Sequence, residues 1–332
     1  MSATARAADT NLVAAGAAKS RVVLVRDPGA VSGFKVDPAR VKTMVAAGMK
    51  ALTGQADAAA AWGLFVSSND VVGIKINTQG APLQATRPAV VDAIVGGLQS
   101  AGVATTNIIV WDRDADKMRQ AGYILQDRGP GVRVLSVLPD GGWDAGQFYE
   151  SKVVGKLIWG DLLFGRTEAP LSTRSHLPKL LTQTITKLID VPVLLDNDAC
   201  GLSGCLYNLS IDAVDNNRRF EMLGQKGDPS IAGIWVLPAV RGKLALNICD
   251  GLIGGYAGGP AFKPQYSWPY GGLYFSTDPV ALDATCLDLL EGKRREAKVT
   301  AIGARASHIT TAGEIGLGRA SSNQIDLVES SP

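Results

Sequence analysis

A chain of 332 residues is long enough for one large or two ordinary domains with a filled core. Its 33 Lys and Arg balance 31 Asp and Glu, and no basic stripe is interleaved with aromatics, so nucleic acid is not an expected partner. No apolar run reaches the roughly 18 residues of a membrane span, and four cysteines, at 200, 205, 249 and 286, do not make the dense framework of a small secreted domain.

Residues 1–20 are Ala-rich without a periodic apolar face and read as a loosely ordered N-terminal arm. They lack the apolar core of a secretory signal, which leaves the location open between cytoplasm and export with the leader absent. Arg21 to Arg26 predicts a first strand. Asp37-Pro38 then supplies an N-cap and a pre-set first helical residue, and Val41, Met44, Val45, Met49 and Leu52 repeat at helical spacing until Gly54. A second strand, VVGIKIN, carries Lys75 and Asn77 toward the sheet edge. Thr86 with Pro88 opens a helix that stops at Gly102, and Asn107 to Trp111 is a third strand ending in Asp112, Arg113 and Asp114. A short helix over Asp116–Gly122 and a strand over Val132–Val137 continue the alternation.

From 139 to 172 the pattern changes, and this stretch reads as an insertion or lid. Leu177–Lys187 is expected to be a helix leading into a buried parallel strand, Ile189–Leu195. Ile234–Leu237 is a weak strand, Leu244–Cys249 a strong one ending at Asp250, and a glycine-rich loop follows. Leu273–Ser276 is a strand, Asp278-Pro279 caps a helix over Val280–Glu291, and Asp283 on its apolar side requires a buried partner. The expected fold class is α/β, a doubly wound, mostly parallel sheet with an inserted middle segment, in one domain over 21–318 with a C-terminal tail over 319–332.

In such sheets ligands sit beyond the carboxyl ends of the strands. Asp196, Asp198 and Asp250 follow expected strands and lack basic neighbours, the donor chemistry of a divalent metal ion. Cys200, Cys205 and Cys249 are an alternative set, three thiolates for an iron–sulfur cluster. Lys75 within an apolar strand needs a partner for its amine, and with Asn77 it is placed to orient substrate beside the carboxylates. Ser203 in Gly201-Leu202-Ser203-Gly204 falls short of a nucleophile elbow, with only His176 and His308 as bases. Neither a dinucleotide fingerprint nor a Walker loop is present.

Taken together, VVGIKIN, TRPAVVDAIVGGLQSAG, VPVLL followed by GLSGCLYNLS, NNRRF, NICDGL with its Gly-Gly-Pro loop, and FSTDPVALDA resemble the bacterial and archaeal "domain of unknown function 362" family. The likeness spans roughly Arg21 to Gly318 and implies an α/β fold, with no defined reaction. Where the family often has Pro-Val-Leu-Lys-x-His this chain has Leu195 and Asn197, and where it often has Lys-Asn-Leu it has Tyr207-Asn208-Leu209. Two commonly basic positions are thus apolar or aromatic.

The expected function is that of a metal-dependent enzyme acting on a small polar substrate in the strand-end crevice. Asp196, Asp198 and Asp250 serve as metal ligands, with Lys75, Asn77 and Asp198 in the chemistry. The alternatives are a non-catalytic protein holding a small-molecule ligand or metal in the same crevice, and an iron–sulfur redox protein using Cys200, Cys205 and Cys249.

Overall fold

The structure is a computed structural model and describes residues 19–138, 142–156, 171–221 and 227–332. Strand β1 (Ser20–Arg26) leads to helix α1 (Pro38–Thr53), whose start is fixed as expected: the Asp37 side chain accepts from the amides of Ala39 and Arg40. Gly54, at φ 74°, closes that helix in the left-handed conformation that glycine adopts most readily. Then come β2 (Val72–Ile76), α2 (Pro88–Ser100), β3 (Ile108–Asp114), α3 (Ala115–Gln120) and β4 (Arg133–Leu138). Strands β5 (Trp143–Lys156) and β6 (Leu171–Pro178) pair antiparallel in a sheet of their own. They account for the described part of the stretch read as an insertion; 139–141 and 157–170 lie outside the described residues, as do residues 1–18 of the expected arm.

The second half carries β7 (Lys187–Val191), β8 (Val193–Asn197), the short helix α4 (Cys205–Asn208), β9 (Leu244–Gly255) and β10 (Gly272–Ser276). It ends with α5 (Pro279–Glu296), α6 (Ser307–Glu314) and β11 (Ile325–Ser330). The main sheet runs β11-β1-β10-β9-β7-β2-β3-β4. Neighbours from β9 to β4 are parallel, as are β1 and β11, while β10 runs antiparallel to both β1 and β9. The sheet is therefore mostly parallel, as the alternation of apolar strands and amphipathic helices implies. On one face Val41, Met44 and Met49 of α1 and Ile94 of α2 cover Val23, Ile74, Ile189 and Phe275. On the other, Leu206 of α4, Leu282 and Cys286 of α5 and Ile309 of α6 cover Leu24, Trp111, Leu188 and Cys249. Among the described residues no helix is long and apolar enough to cross a membrane.

Several local expectations differ from the structure. Leu177–Lys187 is not an α-helix: residues to Pro178 complete β6, and a single π-type turn over Leu180–Thr184 follows. Its apolar residues Leu177, Leu181 and Ile185 are buried in the core all the same, and among the described residues Pro178 is the one residue of the stretch in register with β5. The Ile189–Leu195 strand is two strands, because Pro192 has no amide to continue the ladder; β8 leaves β7 there and pairs with the far half of β9. That explains why β9 runs on to Gly255, through residues read as a flexible glycine loop. Ile234 and Trp235 belong to a short helix, Ser230–Trp235, and residues 325–330 of the tail form an edge strand beside β1.

Candidate functional site

Side chains alternate across a strand, so Lys75, between Ile74 and Ile76, faces opposite to both and points at α4. Its amine is fully buried and saturated. Nζ donates to Asp112 Oδ1 at 2.7 Å, to Asn208 Oδ1 at 2.9 Å, to Asp212 Oδ2 at 3.0 Å and to the Ile76 carbonyl at 2.8 Å. Asp112 arrives from β3, the strand in register with β2, and is held by the Thr78 amide at 2.8 Å. Asp212 comes from the one-turn 3-10 segment Ile211–Ala213 that follows α4, and it also accepts from Gln79 Nε2. Asn77 Nδ2 lies 3.4 Å from both Asn208 Oδ1 and Asp212 Oδ2.

The electrostatics follow from this packing. Burial works against the Lys75 charge, but Asp112 and Asp212 outweigh it and the amine's pKa is raised, so it is a fixed ammonium. Burial raises Asp212 more than Lys75 lowers it, and with Asp112 adding repulsion the carboxyl sits at about 6. The cluster reaches solvent through Gln79 and Arg113, both part-exposed, and through Gln79 Nε2 to the Tyr207 hydroxyl, which donates to Glu221 at 2.7 Å. Three residues beyond Asp212, Asp215 holds His176, taking its backbone amide at 2.6 Å and facing Nδ1 at 2.9 Å.

The expected metal ligands do not come together. Val193, at the start of β8, is in register with Asp250, whereas Asp196 lies three residues further on, about 10 Å along the strand. Asp250 accepts from the amides of Arg87 at 2.7 Å and Leu252 at 2.9 Å. Asp196 accepts from Gly259 N at 3.0 Å and pairs with Arg294 at 3.2 Å, its carboxyl raised to about 6 chiefly by burial. Asp198 is exposed, 3.6 Å from Arg305. Among the described residues no three His, Cys, Asp or Glu side chains form a group that would hold a metal ion.

All four cysteines are buried and free. Cys249 Sγ lies 3.8 Å from Cys286 Sγ, while Cys200 packs near Gly227 and Ile211. Burial raises the thiols of Cys200 and Cys205, and that of Cys249 is raised first by its contact with Cys286 and then by burial. Ser203 is buried and accepts from Asn197 Nδ2 at 3.2 Å, and His308 is buried among apolar residues. Asp283 has the buried partners it requires, the amides of Cys205 at 2.7 Å and Leu206 at 2.9 Å. Gly204 makes that approach possible, since a Cβ there would meet Asp283 Oδ1 at 2.2 Å.

Lys75 and Asn77 are thus the sequence-derived candidates that meet in one cluster; Asp112, Asn208, Asp212 and Gln79 complete it. A strand-end charge marked Asp112 in the sequence. Nothing local marked Asp212, because a loop Asp is ordinarily a turn residue.

These carboxyls set a pH dependence. Asp196 and Asp212 at about 6 and Asp283 at about 7 keep protons that the unfolded chain releases near 4. Protons bound in the native state then exceed those in the unfolded one, so each group lowers stability as pH rises from about 4 to its own value, by about 1.4 kcal/mol per pH unit. His308, lowered to about 4 by burial, acts in the opposite sense over the same range but is outnumbered. Urea midpoints are therefore expected to fall between about pH 4.5 and pH 7. A rise across that interval would show that these carboxylates are ionised in the fold.

The chain is thus an α/β protein with a mostly parallel sheet and a buried lysine–dicarboxylate cluster on β2, β3 and the turn after α4. Residues 167–288 match the family described as "Domain of unknown function (DUF362)". The match includes Asn208, Asp212 and Asp283 but begins after Lys75 and Asp112. No curated protein matches the sequence. A crystal structure of a protein from Thermotoga maritima, a structural-genomics target, aligns with TM-score 0.41 at 9% identity over 81% of this chain. The chain spans 61% of the length of that protein.

Proposed function

We propose that the chain is an enzyme acting on a small polar substrate at the strand ends. Asp212 takes and returns a proton, Lys75 is the fixed charge beside it, and Asn77 and Gln79 are the amides that orient substrate. The observation that supports this reading is the geometry of the cluster: the Asp212 carboxyl takes hydrogen bonds from the fixed Lys75 ammonium and from the Asn77 and Gln79 amides, and burial raises it against the pull of that ammonium, toward the range where an acid–base group is most effective. Metal dependence is a separate expectation, which elemental analysis decides. Asp196, Asp198 and Asp250 each have protein neighbours, and the Lys75 ammonium occupies the place between Asp112 and Asp212 that a cation would take.

The test is incubation of the purified protein with a mixture of small polar metabolites, followed by mass spectrometry, beside Asp212→Asn. Depletion of one compound by the wild type, reduced about 10²-fold or more in a variant with an unchanged circular dichroism spectrum, is the expected result. A compound that both proteins bind and neither converts would favour the binding-protein reading. Elemental analysis of protein purified without oxygen separates a stoichiometric divalent metal from iron with sulfide.

A further inference from the structure

Asp190 of β7 has Lys75 of β2 as its register partner on one side and Asn247 of β9 on the other. Partners on neighbouring parallel strands face the same way, so all three lie under α4. Both Asp190 and Asn247 are fully buried. Asp190 Oδ1 accepts from Asn208 Nδ2 at 2.7 Å, while its Oδ2 has no partner among the described residues. Asn247 presents the matching defect. Its Nδ2 donates to the carbonyl of Ser276, its partner on β10, at 3.1 Å, and its Oδ1 has no partner among the described residues. Turning the amide over would set one carbonyl oxygen against another, so that orientation is fixed.

We infer that Asp190 is a neutral carboxylic acid in the folded protein, donating its proton to Asn247 Oδ1, and that it is a positioning residue for the Lys75 centre. An ionised Asp190 would bury a charge with only the weak Cys205 thiol to satisfy its second oxygen and would leave Asn247 Oδ1 without a donor, whereas a proton on Asp190 supplies the donor that Asn247 lacks. The charged and titratable groups that face it are Lys75 from β2, Cys205 from α4 and Asp283 from α5. The ammonium donates to other acceptors, the Cys205 thiol is a weak donor, and Asp283 is of like charge. Burial, the largest influence, holds the Asp190 proton well above the usual carboxylate range against the pull of Asn208 and Lys75. By accepting from Asn208 Nδ2, Asp190 turns Asn208 Oδ1 toward Lys75 Nζ. This positioning role rests on the proposed reading of the Lys75 centre; the protonation does not.

The test is infrared difference spectroscopy of wild type against Asp190→Asn at about pH 9, where Asp196, Asp212 and Asp283 are ionised. A carboxylic-acid carbonyl band, shifted in heavy water and missing from the variant, is expected; a difference spectrum without one overturns the assignment. In Asn247→Leu the band should move to higher frequency as its acceptor disappears, and an unmoved band would remove Asn247 from that role. The buried ammonium resonance of Lys75 reports positioning: Asp190→Leu should shift it and Asp190→Asn, which keeps both contacts, should restore it. A resonance indifferent to Asp190→Leu ends the positioning claim and leaves the band to stand or fall alone. None of these readings depends on turnover, so failure of the enzyme proposal is separately visible.

Discussion

Lys75→Met is expected to destabilise the fold by about 3–5 kcal/mol, the loss typical of removing one partner from a buried ion pair. The methionine fills most of the space but leaves Asp112 and Asp212 facing each other without their shared cation, and Asn208 Oδ1 without its donor. Part of the loss is recovered if one carboxyl takes up a proton, so the deficit should shrink as pH falls through the range where Asp212 titrates. Denaturant titrations at two pH values measure both quantities. A loss below about 1 kcal/mol, insensitive to pH, would place the ammonium among weak, solvent-screened pairs.

Asp283→Leu should have an effect of similar size for a different reason. It removes the acceptor of two buried amides, those of Cys205 and Leu206, at about 1–3 kcal/mol for each unsatisfied group. The larger side chain also has little room, since Gly204 packs directly against the carboxylate. Asp283→Asn should fall between Asp283→Leu and the wild type, since its single amide oxygen can accept from one of these backbone amides while its NH2 group faces the other. Equal melting midpoints for Asp283→Leu and the wild type would show that α4 does not need this anchor.

Much of the scaffold is legible in the sequence because its signals are local. Asp37-Pro38 and Asp278-Pro279 each announce a helix, and both side chains make the cap bonds that their identity suggests. The strand-to-turn stretch at Leu177–Lys187 is not legible locally, because short apolar runs suit either state and burial of Leu177, Leu181 and Ile185 in the core serves a turn as well as a helix. The site is less legible. Lys75 stands out as a charge within an apolar strand, but its partners Asp112 and Asp212 lie 37 and 137 residues away and look like turn residues. One signal was available in LIDV, LALNIC and LYFS, where a single polar residue interrupts an otherwise apolar strand in each case. Alternation places Asp190, Asn247 and Ser276 on one face beside Lys75, a polar row through the core that the register confirms. The metal expectation took Asp250 for a strand end, but β9 runs on to Gly255, so Asp250 lies within the strand opposite Val193 and Asp196 falls three residues beyond it.

The position of β1 between β10 and β11 sets an order of events during synthesis. β1 has both of its partners far along the chain, at residues 272–276 and 325–330. At about 5–20 residues per second, the ribosome needs on the order of 15–60 s to reach the second of these partners. Through that interval Val22, Val23, Leu24 and Val25 form an apolar ribbon with two unsatisfied hydrogen-bonding edges, while β2, β3 and β4 already have each other. β1 therefore stays open to pairing with a neighbouring polypeptide until both of its partners have been made.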